Sequence, residues 1–188
     1  MEIDERVIRR YEVTDEDARL WVRGKGDLVR LRTWDIFDRY LPSGGRVMDI
    51  GGGPGTHAAR LAECGFHVML VDPVERHIES ARRRARVSDE WTFDARRGEA
   101  RELPAQDGSF DVVLMMGPLY HLVNARDRQA ALREAQRVLR PGGLILAEVI
   151  SRYAWILDAT CKGLLDRPEI WSDFTQNIEL CSFWQGAE

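Results

Sequence analysis

Lysine is nearly missing from this 188-residue chain: of its 27 basic residues only Lys25 and Lys162 are lysines. The arginine bias is compositional and carries no functional weight. Cysteine is scarce too, and Cys64, Cys161 and Cys181 follow no metal or disulfide spacing. That excludes a disulfide framework and leads us to expect a reducing, cytoplasmic setting. Long hydrophobic runs are absent, and the N-terminus is charged, so neither a membrane-spanning segment nor a secretory leader is expected. An excess of positive charge is missing as well: the formal net charge is −4, which argues against a large nucleic-acid footprint. There is no internal repeat and no low-complexity tract. What remains, 44% hydrophobic and 31% charged residues, suits a globular protein with a proper core, and a single domain over 1–188 is expected.

The informative stretch is Val47-Met-Asp-Ile-Gly-Gly-Gly-Pro-Gly-Thr-His-Ala-Ala-Arg-Leu61. A short apolar strand runs into an acid, alternating glycines and an amphipathic helix. Gly51, Gly53 and Gly55 put no Cβ where the backbone bends tightly against a ligand, and the helix start offers unpaired N–H groups. Asp72, closing the next apolar run, stands where a carboxylate accepts both hydroxyls of a ribose. A dinucleotide turn requires GxGxxG, but here the third slot is Thr56 and glycine falls at Gly55. Asp49 would also repel a pyrophosphate. It suits a ligand with a cationic ammonium or sulfonium instead, because buried charge needs an opposite partner.

From Arg46 onward, short apolar runs alternate with helical patterns, the signature of a parallel sheet with crossover helices. Strands are expected at Arg46 to Ile50, Phe66 to Val71, somewhere within Trp91 to Arg97, Phe110 to Met116, and Leu144 to Ile150. Helices are expected from Thr56 to Cys64, ended by Gly65, from Glu75 to Val87, and from an Asn124 cap to Leu139. The last should bury Ala131, Leu132, Ala135, Val138 and Leu139. The arginine run Arg82 to Arg86 reads as a solvated helix face. Residues 1–41 read as an added helical cap whose stripe is Val29, Thr33, Ile36, Phe37 and Tyr40, residues 42–150 as the core, and 151–188 as a helical, aromatic tail.

The arrangement DxGxGxG with Asp72 downstream resembles the class I S-adenosylmethionine-dependent methyltransferases, especially the small-molecule type with GPLYHL after the fourth strand. The resemblance covers roughly Leu28 to Leu165. It implies an α/β, Rossmann-like doubly wound, mostly parallel sheet with helices on both faces. It also implies S-adenosylmethionine as cofactor and a small-molecule methyl acceptor. Carried onto this chain, the glycine turn at Gly51, Gly53 and Gly55 holds the methionine portion and Asp72 the ribose hydroxyls. Glu99 and Ala100 match the position that reads the adenine edge, and Met116 with Gly117 forms the wall beside the methionine group. Arg140-Pro-Gly-Gly143 is a further family mark. Plainer readings stand beside these: Asp72 as a cap for the helix beginning at Glu75, and Glu99 as a surface acid.

Methyl transfer from a sulfonium is mainly a matter of positioning. Where a base assists, His121 is the candidate, since its ordinary pKa lies near neutrality and it follows the fourth strand, with Tyr120 orienting the substrate. Both also read as packing residues. His57 reads as a contact to cofactor or backbone. The family sheet has seven strands and this chain has sequence for fewer. Ile178 to Trp184 supplies at most one more, with Trp155, Trp171 and Trp184 either enclosing substrate or packing. The fifth strand should therefore lie near a sheet edge, to be covered by the C-terminal segment or by a homodimer partner. A cofactor-binding module without transfer and a nicotinamide-dependent oxidoreductase are the competing functions.

Overall fold

The runs at 68–71 and 112–115 are apolar on both sides, and the sheet they enter therefore needs cover on both faces. The computed structural model describes residues 8, 9, 11, 25–151 and 153–172, without the side chains of Lys25 and Trp155. The backbone groups into two compact units, Met1–Glu148 and Val149–Glu188.

In the first unit the order is α1 (Lys25–Tyr40), β1 (Gly45–Ile50), α2 (Thr56–Glu63), β2 (Phe66–Asp72), α3 (Glu75–Arg84), β3 (Asp94–Arg97), β4 (Phe110–Met115), a single turn α4 (Pro118–His121), α5 (Ala125–Val138) and β5 (Leu139–Ala147). Among the described residues the sheet is five-stranded, ordered β3-β2-β1-β4-β5, with every pairing parallel. The chain leaves β1 for β2 on one side, while β4 joins β1 on the other. The two directions of winding part between β1 and β4, the place where open α/β sheets leave a crevice at the strands' carboxyl ends.

Side-chain alternation along β1 sorts the core. Val47 packs with Trp34, Phe37, Leu61 and Ile78, from α1, α2 and α3, on one face. Met48 and Ile50 pack with Ala131, Ala135 and Val138 of α5 on the other. Asp49, two residues after Val47, belongs by the same alternation to the α2 side and is 1% exposed.

Several boundaries differ from the sequence reading. The α1 stripe is rotated: Thr33, Trp34 and Phe37 are buried while Tyr40 is 63% exposed. Trp34 gains an edge-on contact with Phe37 at 5.1 Å and the Arg60 guanidinium over its ring at 4.0 Å, which fixes that rotation. In α5, Leu132 is exposed and the small Ala131 and Ala135 carry the contact. The strand after α5 begins at Leu139, because Phe110 pairs with Leu139 and then Val112 with Leu144, so Arg140-Pro-Gly-Gly143 bulges out of the ladder. Among the described residues β5 is an edge strand, and it is mostly half-buried, not covered on both faces. Of the arginine run, Arg82 donates to the Ala95 carbonyl and Arg84 to Thr56 Oγ1, tying α3 to β3 and α2.

The second unit contains α6 (Ala154–Cys161), which falls in the tail expected to be helical. Trp171 donates its indole N–H to the Leu165 carbonyl. The Trp155 side chain, Trp184 and the strand expected at Ile178 to Trp184 lie outside the described residues. Among the described residues no helix is long and apolar enough to cross a membrane.

Asn124 caps α5 as expected, its Oδ1 accepting from the Arg126 N–H at 2.9 Å. Asn124→Ala should therefore destabilise the fold by about 1 kcal/mol. The check is a urea titration in which the midpoint falls while the slope is unchanged.

Candidate cofactor site

The turn between β1 and α2 is built from left-handed backbone. Gly51, Gly53 and Gly55 have φ of 68°, 57° and 83°, a region that side chains other than glycine occupy at a cost. Gly51 donates its N–H to the Val71 carbonyl at 2.7 Å, which pins the turn to the end of β2. Gly52 carries no such φ but has no room: a Cβ there would fall on the Asp49 carboxylate and a Leu70 methyl. The sequence reading passed over Gly52 because it sought conformational freedom, and the constraint here is steric.

A cavity of about 370 Å³ opens beside this turn, within the size of small-molecule sites. Asp49, Gly51 and Gly53 line it, as do Asp72, Glu99, Ala100, Met116, Gly117, Tyr120 and His121. Gly55 is the one expected site residue away from the lining; it starts α2, and a Cβ there would strike the Phe93 ring.

Asp49 is the electrostatic anomaly. Both of its carboxylate oxygens are buried without a hydrogen-bond partner among the described residues. Burial first, and the nearby Asp72 charge second, push its pKa up to about 7 from 3.8. A carboxyl left in this state is relieved by a cation arriving in the cavity.

Asp72 is the opposite case. Its Oδ2 accepts from the Gly53 N–H at 3.0 Å and its Oδ1 from the Val74 N–H at 2.9 Å. His77 Nδ1 lies 3.1 Å from the same Oδ1. Asp72 thus ties the turn to the segment that enters α3, whose N-cap is Val74 and not Asp72 as the capping reading expected, and it also lines the cavity.

At the next strand end, Glu99 is gripped by Arg101: Nε lies 2.9 and 3.2 Å from its two oxygens and Nη2 2.5 Å from Oε2. Arg101 Nη1 reaches Asp127 at 3.1 Å, and the guanidinium side chain is 8% exposed. The hydrogen bond that Arg101 donates to Glu99 leads the effects that hold the Arg101 pKa above its ordinary value. Glu99 is therefore no loose surface acid; its carboxylate is fixed at the cavity wall.

Tyr120 donates to the Met116 carbonyl at 3.2 Å, and the His121 ring lies beside it, tilted by 58° with ring centres 4.6 Å apart. The hydroxyl of Tyr11 lies 2.6 Å from His121 Nε2. The Tyr11 ring stands edge-on to both His121 and His77, at 5.3 and 5.5 Å. Tyr11, His77, Arg101 and Asp127 all line the cavity and were not singled out from sequence. His77 did leave a signal, an imidazole beside Ile78 on a helix face otherwise given to core. Tyr11 left none, since it lies far from the turn in sequence. Among the described residues no group of three or more His, Cys, Asp or Glu could hold a metal ion.

Residues 47–143 match the family model described as a methyltransferase domain. The chain is 37% identical over 118 residues to a ubiquinone biosynthesis O-methyltransferase of Methylocella silvestris, an alignment covering 61% of this chain and 44% of that one. It is 33% identical over 154 residues to a demethylmenaquinone methyltransferase of Beutenbergia cavernae, covering 79% of this chain and 57% of that one. It spans about half the length of these curated relatives. Among solved structures, a SAM-dependent methyltransferase of Methanosarcina mazei superposes with a TM-score of 0.55 at 28% identity, covering 58% of this chain and 55% of that one.

Because the folded state raises the Asp49 pKa, it binds that proton more tightly than the unfolded chain does. Stability from this group is present at low pH and is lost as pH rises from about 4 to about 7. Asp49→Asn should therefore gain stability relative to the wild type across that window and run parallel to it above. Urea unfolding at pH 4.5, 6 and 8 would show this; a constant difference between the two proteins would refute it.

Proposed function

Since the chain belongs to the methyltransferase-domain family, we propose that it binds S-adenosylmethionine in this cavity and transfers the methyl group to a small-molecule acceptor by in-line displacement. The observation that carries the reading is the Asp49 carboxyl, sealed beneath a glycine turn with both oxygens unpartnered among the described residues. An acid so placed fits a ligand bearing positive charge and does not fit a pyrophosphate, which separates this reading from a nicotinamide-dependent one. When bound, S-adenosylmethionine supplies an electrophilic methyl and a neutral thioether leaving group.

The chain's own residues do the rest. Asp49 faces the cationic portion, and the turn Gly51 to Gly53 lets backbone approach it closely. Asp72 orders the turn and the ribose side. Glu99, fixed by Arg101, stands with Ala100 at the nucleobase edge. Met116 and Gly117 wall the methionine side. Holding an acceptor in a near-attack arrangement contributes about 7 to 11 kcal/mol, enough for the protein to act chiefly by placement. For an oxygen or nitrogen acceptor, His121 is the proton-accepting group, held through Nε2 by the Tyr11 hydroxyl, with Tyr120 as an orienting neighbour. The relatives are named for ubiquinone biosynthesis and for demethylmenaquinone, which makes quinone-type compounds the first acceptors to try.

Calorimetric titration with S-adenosylmethionine, followed by assay of S-adenosylhomocysteine formation over an acceptor panel, tests the proposal. Binding without product over a broad panel would leave a binding module, and no binding would remove the reading. Asp72→Ala should weaken cofactor binding by about 1.5 to 3 kcal/mol, the scale of hydrogen bonds to a charged group. Affinity should also rise as pH passes upward through about 7, because Asp49 must lose its proton to face a cation. Asp49→Asn should flatten that dependence.

A further inference from the structure

His77 sits at the first turn of α3, is 7% exposed, and lines the cavity. One ring nitrogen is accounted for: Nδ1 lies 3.1 Å from Asp72 Oδ1. The other, Nε2, is buried and has no hydrogen-bond partner among the described residues. A core histidine whose only duty was packing would satisfy both nitrogens or turn one to water, since an unpaired buried polar atom is costly.

Chemistry fixes what Nε2 offers. An ionised carboxylate only accepts, so Nδ1 must carry the hydrogen that it donates to Asp72, and Nε2 of the neutral ring then presents a lone pair. The lone pair needs a donor such as a hydroxyl. Asp72, meanwhile, has already committed three of its roughly four acceptor positions, to the Gly53 and Val74 N–H groups and to His77. The residue that the family pattern assigns to the ribose is largely used up within the fold, and the imidazole it holds is not.

We propose that His77 Nε2 accepts a hydrogen bond from a ribose hydroxyl of the nucleoside cofactor, with Asp72 acting in good part as the residue that sets the His77 tautomer and position. This rests on the reading that the cavity takes S-adenosylmethionine. Tyr11, edge-on to the His77 ring at 5.5 Å, lines the cavity beside it. The proposal makes His77 a discriminator between ribonucleoside and deoxyribonucleoside ligands.

The test is calorimetric titration of S-adenosylhomocysteine and its 2′-deoxy and 3′-deoxy analogues into the wild-type chain and His77→Asn. The asparagine amide keeps a donor near the Nδ1 position for Asp72 but has nothing at Nε2. Wild type should prefer the ribo ligand over at least one deoxy analogue by about ten-fold, the scale of one neutral hydrogen bond. His77→Asn should lose that preference by weakening on the ribo ligand while binding the same deoxy analogue as wild type does. Equal weakening on every ligand would mark His77 as purely structural and overturn the proposal. So would a preference that survives intact in His77→Asn, which would return the hydroxyl to Asp72. Failure of the wild type to bind S-adenosylhomocysteine at all would overturn the cofactor reading and this proposal with it, an outcome distinct from the other two.

Discussion

The Asp72 carboxylate joins the parts on which the cavity depends. It ends β2, accepts from the turn that follows β1, accepts from the start of α3 and holds the His77 ring. Adjacent parallel strands deliver their carboxyl ends side by side, but nothing in sheet hydrogen bonding fixes the loops that leave them. One buried acid with several acceptor sites does so, and charge-assisted bonds to N–H groups make it a strong tie. The crevice between β1 and β4 owes its edge to this residue as much as to the sheet.

The acids around the cavity are held in contrasting states. Asp72 is satisfied by amides, Glu99 by the Arg101 guanidinium, and Asp49 by nothing among the described residues. The first two are fixed in position at no electrostatic risk. The third keeps an unmet demand for positive charge where a Cβ on Gly52 would collide with it. Strain of this kind is tolerated at functional sites and paired away elsewhere.

Much of the architecture was legible because it follows from short-range rules. Alternating apolar runs and capped helices located the sheet and its crossovers, and Asn124, Gly65 and the left-handed glycines behave as their local chemistry requires. Where side-chain packing decides, the reading failed. The α1 stripe turned toward Trp34 because an aromatic and an arginine neighbour were waiting there. Leu132 was left exposed because the buried face of α5 is the one that Ala131, Ala135 and Val138 share. The bulge at Arg140 to Gly143 was invisible because register is a property of two strands together.

The sequence by itself determined the parallel α/β order, the position of the glycine turn and the residues Asp49, Asp72 and His121 as candidates, since backbone geometry and spacing are written locally, whereas Glu99 came only with the family resemblance. Only the tertiary structure decided which of those acids is satisfied and which is not. It alone brought Tyr11 and His77 to the cavity and clasped Glu99 with Arg101. Hydrogen-bond partnership and burial depend on what distant segments place around a group, and no spacing along the chain encodes that.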